Sequence, residues 1–256
     1  MNLRPFVLFA SLGLATMARL CADPVEVIDR ARAYLGNDAE LSAVRSVHFV
    51  GLVTSTNTTG DGVSETEEAT VEIIFQKPFQ QRIVSRDDEK VEVTALDDYE
   101  GWQRVEDAQN PRVWRMTILP KEQIKRLRAN TWENLNFYRG LEAKGGEVRD
   151  LGTVELDGEP ARKLAFVHED DIVFVRYFDP ATGRLRQTET GTSTRIRESG
   201  EIRANGIRFP ERVITSIGLP DGGHRVITVV FQSVTLNEAF PDDLFRVPFM
   251  SARGGE

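Results

Sequence analysis

The sequence predicts a mainly β chain of the α+β class, built on one long antiparallel sheet with helices at the start and in the middle. Three observations carry this. Apolar and polar residues alternate in short runs over most of the 256 residues. Turn-forming residues punctuate those runs about every eight to twelve positions, the spacing of an antiparallel meander. A helical period appears in only two regions, just after residue 23 and again from Lys121. Apolar residues make up 40% of the chain, enough for a sizeable core. No repeat, low-complexity tract or linker divides it, so residues 23–256 read as a single domain.

The first helical region is "DPVEVIDRARAYLG", where Val25, Ile28, Ala31 and Leu35 recur at spacings of three and four. Asp23 fits the N-cap, Pro24 the first helical position, and Gly36 the stop. "NDAELSAVRS" then offers Asn37 or Asp38 as a second cap, with Leu41 and Val44 as a short apolar face. From Val47 the period becomes two. "VHFVGLVTST" and "ATVEIIFQ" are strands on either side of a polar loop, and the second sets Val71, Ile73 and Phe75 on one face. Pro78 interrupts pairing. "QRIVS", "VEVTAL", the turn-bearing "TALDDYEGWQRVED" and "VWRMTIL" continue the meander.

The helical period returns over "KEQIKRLRANTWENLNFYRG", Lys121 to Gly140, with Ile124, Leu127, Thr131, Leu135 and Tyr138 on one stripe that Trp132 and Phe137 widen. Strands resume with "GTVELDGEPARKLAFVH", a hairpin whose tip is Asp157-Gly158. "DIVFVRYF" is apolar on both faces and reads as a central strand. "GRLRQTET" and "STRIRESGEI" are polar alternating strands. "IRFPERVITSIG" and "RVITVVFQSVTL" form a last pair joined by "LPDGG", followed by an irregular tail, "AFPDDLFRVP".

Residues 1–22 read as an export signal. Arg4 supplies the positive start, and Pro5 to Ala18 is an apolar run shorter than a membrane span. Cleavage is expected after Ala22, although Leu20 fits poorly at the position usually held by a small residue. The residues before Cys21 do not match a lipid-attachment signal. Cleavage after Ala22 would remove that single cysteine and leave no disulfide, thiolate or cysteine ligand. The expected compartment is the periplasm or the cell exterior. A net charge of −8 lacks the basic footprint of a nucleic-acid binder, and charge alone would not hold the chain on an anionic membrane.

Several local motifs occur in a distinctive order. They are the helix–Gly–helix–strand opening "RARAYLGNDAELSAVRSVHFVG", the Pro-x-x-x-Arg of "QKPFQQR" and the turn "DDYEGWQRV". "FDPATGRL", "ANGIRFPERV" and "VTLNEAFPDDLFRVP" follow. In that order they resemble proteins of the LolA/LolB-like superfamily, in its outer membrane lipoprotein-sorting group. The resemblance spans about Pro24 to Pro248. It implies a half-open β-barrel, formed by a single large curved antiparallel sheet and plugged by helices, whose apolar cavity takes lipid or lipoprotein acyl chains. On that basis Phe49, Val71, Ile73, Phe75, Val93 and Trp102 are cavity candidates. So are Trp114, Met116, Phe166, Phe174 and Phe231. Ile124, Leu127, Trp132 and Leu135 are candidates for the plug helix. The implied protein is not an enzyme, needs no cofactor or metal, and is peripheral to the membrane at most. Its partners are acyl chains and, in an alternative reading as a stress sensor or interaction module, envelope proteins.

Residue chemistry leaves one competitor, a hydrolase using the carboxylates of "TALDDYEGWQRVED". A glycosidase needs two carboxyls held apart across a cleft. Asp97, Asp98 and Glu100 are near-neighbours in a turn, where aspartate is favoured for backbone reasons. His48, His168 and His224 lack zinc-site spacing, although "HEDD" could offer a cation a few oxygens. No Gly-x-Ser-x-Gly elbow or phosphate loop is present.

Overall fold

The computed structural model describes residues 24–169 and 172–248. The expected export signal, its cleavage bond, the Asp23 cap and Asp170–Asp171 of "HEDD" lie outside the described residues.

Two helices open the chain, α1 (Pro24–Leu35) and α2 (Asp38–Ala43). Gly36 closes the first through its amide on the Arg32 carbonyl, and the Asn37 side chain caps the second by accepting from the Ala39 amide at 2.8 Å. Six strands follow as a meander. They are β1 (Ser46–Thr58), β2 (Ser64–Gln76), β3 (Gln80–Arg86), β4 (Lys90–Asp97), β5 (Glu100–Asp107) and β6 (Trp114–Ile118). Helix α3 (Lys121–Asn136) comes next. The chain then runs through β7 (Glu147–Leu156), β8 (Glu159–Glu169), β9 (Ile172–Phe178), β10 (Leu185–Thr190) and β11 (Thr194–Ser199). It ends in β12 (Ile202–Ala204), β13 (Ile207–Phe209), β14 (Arg212–Gly218) and β15 (His224–Leu236).

Thirteen strands form one antiparallel sheet in the order β6-β5-β4-β3-β2-β1-β15-β14-β11-β10-β9-β8-β7. The two meanders meet where the last strand pairs with the first, from Val47 opposite Leu236 to Thr58 opposite His224. The sheet is curved and stays open, with β6 and β7 as its edges. Since α3 joins those two strands, the helix must cross the concave face. The Asp157-Gly158 hairpin forms as the sequence indicates, with both residues at positive φ.

Three details differ from the sequence reading. Val25 is 59% exposed, and α1 buries Val27, Ile28, Ala31 and Arg32 instead. Helix α3 stops at Asn136 rather than Gly140, because Phe137 and Tyr138 take left-handed backbone conformations. Residues 194–218 do not run as two long strands. Between β11 and β14 the chain leaves the sheet, and β12 with β13 forms a separate hairpin. Pro210 sits where that hairpin returns, and proline cannot serve a central ladder.

The turn "FDPATG" shows what its residues do. Asp179 accepts from the Ala181 and Thr182 amides at 2.9 and 2.7 Å. Gly183 has φ +76°, and a β-carbon there would lie 2.5 Å from the Arg30 carbonyl carbon and oxygen. The turn therefore seats α1 against the sheet through a backbone contact that only glycine permits. Gly183→Ala is expected to cost more than about 2 kcal/mol, since it combines a strained φ with a backbone clash. Urea denaturation measures this, and a variant within about 0.5 kcal/mol of the parent would refute the seating role.

Candidate functional site

The concave face and its cover enclose an apolar cavity of about 380 Å³. From the sheet it takes Phe49 of β1, Ile73 and Phe75 of β2, Ile83 of β3, Phe174 of β9, Ile196 of β11, Val213 of β14, and Val229 and Phe231 of β15. The cover is Leu35 at the end of α1, Phe137 and Tyr138 after α3, and Phe209 and Pro210 of the β12–β13 hairpin. Aromatic rings knit one end. Phe49 lies 4.6 Å from Phe231 and 5.6 Å from Phe209, centroid to centroid, and Phe137 lies 6.3 Å from Phe209.

Arg32 holds the cover. It is buried, and its Nη1 donates to the carbonyls of Asn136 and Phe137 at 3.2 and 3.0 Å, while Nε donates to Asp38 at 2.7 Å. A cation on the last carbonyls of a helix is favoured by hydrogen bonding and by the helix dipole. Here it also fixes the left-handed turn that swings Phe137 and Tyr138 into the cavity.

Polar groups from α3, several strands and the β12–β13 hairpin share the wall. Glu133 of α3 accepts from Arg176 of β9 and is bonded to His168 Nε2 of β8 at 2.5 Å. The Glu133 and Arg176 side chains are only 4% and 8% exposed. Burial pushes the Glu133 carboxyl up, but Arg176 and His168 outweigh this and hold it below the ordinary glutamate value. The Arg176 guanidinium also lies over the rings of Phe166 and Tyr138, at 4.6 and 4.9 Å. Burial, with Glu198 nearby, pushes the Tyr138 phenol up, so it stays neutral. Glu198 itself, on β11, is raised by burial against the opposing pull of Arg176 and Arg184.

No protein-family model and no curated protein matches the sequence. Solved structures do match. A LolA superfamily protein from Nitrosomonas europaea superposes with a TM-score of 0.54 at 13% identity, covering 87% of this chain and 97% of that one. A provisionally assigned outer membrane lipoprotein-sorting protein domain from Vibrio parahaemolyticus gives 0.53 at 8% identity, over 86% and 95%. A DUF1329 family protein from Desulfovibrio piger gives 0.52 at 12% identity, over 88% and 98%. The fold is LolA-like. At these identities the likeness fixes the architecture and leaves the ligand open.

Within that LolA-like frame the eleven aromatic and aliphatic candidates separate. Phe49, Ile73, Phe75, Phe174 and Phe231 line the cavity. Val71 shares their face but not the cavity wall. Phe166 is fully buried in the core between α1 and the β8–β9 strands. Val93, Trp102, Trp114 and Met116 lie on the opposite, convex face. The register shows why: Ala95 faces Trp102 and Val93 faces Arg104, one residue out of phase with Ile83 opposite Thr94. Val93 and Trp102 pack with Val84 and Ala95, against Met116 and Val247, while Trp114 is 39% exposed beneath Arg104.

Trp102 touches neither the helices nor the cavity. The C-terminal segment after β15 lies across the convex face, and the Trp102 indole donates to the Phe245 carbonyl at 2.9 Å. Phe245 is fully buried there. Trp102→Phe is expected to cost about 1–2 kcal/mol, because it leaves a buried carbonyl without its donor. Ligand uptake should not change; a variant of unaltered stability by urea denaturation would contradict this anchoring role.

The plug candidates also move. Leu135 belongs to the core with Phe49 and Phe75. Trp132 stacks on Phe79 at 5.9 Å, away from the cavity. Ile124 packs towards Gly101, and Leu127 is half-buried. The α3 residues that line the cavity are Asn130, Glu133 and Asn134. The two aspartates of "LDDYEG" are structural, and Glu100 is exposed. Asp97 accepts from Gln80 at 3.1 Å, and Asp98 pairs with Arg128 of α3, whose guanidinium also covers Tyr99 at 3.7 Å. Among the described residues no group of three or more His, Asp or Glu is placed to hold a metal ion.

Proposed function

We propose that the chain is an exported, non-enzymatic binding protein that takes the acyl chain of a lipid or lipoprotein into the concave-face cavity, in outer-membrane lipoprotein or lipid sorting. The observation that carries this reading is the cavity itself, walled by six phenylalanines of the sheet and its cover and by branched aliphatics, and bounded by α1, α3 and the β12–β13 hairpin. Pockets of this size and lining bind small apolar ligands with a few polar contacts fixing orientation. Each buried methylene contributes roughly 0.8 kcal/mol, so a partly enclosed acyl chain binds usefully and reversibly. Two observations disfavour a hydrolase: the Asp97 and Asp98 carboxylates are engaged in structural contacts, and they lie away from the cavity. No helix among the described residues is long and apolar enough to cross a membrane. The Vibrio domain's assignment to lipoprotein sorting supplies the cargo class to try first.

Native mass spectrometry of protein purified from its own envelope, paired with uptake of a fluorescent fatty acid, tests the reading. Co-purifying lipid and saturable uptake are expected. Protein that carries no lipid and takes up no probe would overturn it.

A further inference from the structure

The charged groups on the cavity wall are almost all committed to one another. Both oxygens of Glu133 are taken, by His168 and Arg176. Arg208, on the hairpin, pairs with Glu201 and lies over the Tyr34 ring at 4.5 Å. Glu198 differs. Among the described residues it has no hydrogen bond and no ion pair, yet it faces the cavity. It follows Ile196 by two positions on β11 and so shares its face, with Val213 opposite it on β14. The same carboxylate also lines the narrow space beneath Tyr34 and the outer depression beside Arg184 and Arg186, so it stands where the apolar cavity opens outward.

A half-buried carboxylate with no hydrogen bond or ion pair is costly, even where part of the wall around it is polar. Burial raises its proton affinity, although Arg176 and Arg184 act the other way. Arg176 is already neutralised by Glu133, and Arg184 is exposed, where solvent and salt screen its charge. The complement that this wall lacks is therefore a hydrogen-bond-donating cation. A carboxylate head would instead meet a like charge.

We propose that Glu198 is the head-group site of the cavity and selects amphiphiles that end in an ammonium over those that end in a carboxylate. The ammonium donates to the Glu198 oxygens at the cavity opening while the alkyl chain lies inward along Phe49, Phe174 and Phe231. This rests on the acyl-cavity reading and narrows its ligand class.

Dodecylamine, dodecanol and dodecanoate, each below its aggregation concentration, test the assignment by displacement of a neutral fluorescent probe at pH 7. The amine is expected to bind more tightly than the carboxylate by roughly tenfold or more, with the alcohol between them, as a charge-assisted hydrogen bond allows. In Glu198→Gln the three affinities should fall within about threefold of each other. The comparison on the unmodified chain needs no variant, so it stands even if Glu198→Gln folds poorly. Equal affinities, or a preference for dodecanoate, in the unmodified chain would overturn the head-group site while leaving the acyl cavity intact. A selectivity that survives Glu198→Gln would do the same. Failure of all three to bind would overturn both.

Discussion

Arg176→Met is expected to destabilise the fold by about 3–5 kcal/mol, the usual cost of stripping one partner from a buried ion pair. Glu133 would remain on α3 with its carboxylate 4% exposed and only His168 beside it. The variant also loses the guanidinium over Phe166 and Tyr138. The double variant Arg176→Met, Glu133→Gln should recover most of the loss, because glutamine carries no charge to bury and keeps an acceptor for His168. Urea unfolding of the two variants separates charge burial from packing: a double variant no more stable than the single one would place the cost in lost ring contacts instead.

The same pair predicts a pH dependence. Glu133 has a folded-state value held below its ordinary one, so its contribution is present above the ordinary glutamate range and lost as pH falls through the lowered folded value. In Arg176→Met the largest opposing charge is gone and burial dominates, so the carboxyl takes a proton more readily. The gap between parent and variant should therefore narrow on acidification. Glu198 has the opposite sign. Its raised value means that stability falls as pH rises from the ordinary glutamate value through the folded one. Glu198→Gln should accordingly be more stable than the parent at neutral pH, the pattern expected of a residue kept for binding at the expense of stability.

The architecture was legible in the sequence because its signals are local. Alternation named the strands, Asp157-Gly158 set a hairpin, Gly36 ended a helix, and the order of turns reported one antiparallel sheet. The cavity was half legible. Alternation gives the parity of a strand but not which parity faces the helices, and this sheet buries residues on both faces. Ile74 is 2% exposed on the face opposite Ile73 and Phe75, beside His48, whose ring meets Phe240 of the C-terminal segment. Val93, Trp102 and Met116 were therefore indistinguishable from true cavity residues, since the residues that cover them follow about 140 positions later in the chain. The β12–β13 hairpin was hidden because "STRIRESGEI" and "IRFPERVITSIG" both alternate well enough to pass as full strands. One signal was visible and unused: Arg176 interrupts the apolar run "IVFVRYF", and a lone charge in such a strand requires a buried partner.

Phe166 and Phe174 divide core from cavity, and their alanine variants should behave differently although the rings face each other across β8 and β9. Phe166 is fully buried, lies 6.1 Å from the Tyr138 ring and sits under Arg176. Its removal opens a void among packed neighbours, and Phe166→Ala is expected to cost about 3–5 kcal/mol while leaving probe affinity of the folded protein within about threefold. Phe174 is only half-buried and borders space that is already open. Its truncation loses transfer free energy without creating a wholly new cavity, so Phe174→Ala should cost about half as much. It should weaken uptake of a fluorescent fatty acid by about tenfold, because an aromatic surface against the alkyl chain is gone. Urea denaturation and probe titration on both variants decide the matter. Equal stability losses with uptake unchanged in Phe174→Ala would make Phe174 ordinary core and move the acyl site elsewhere on the concave face.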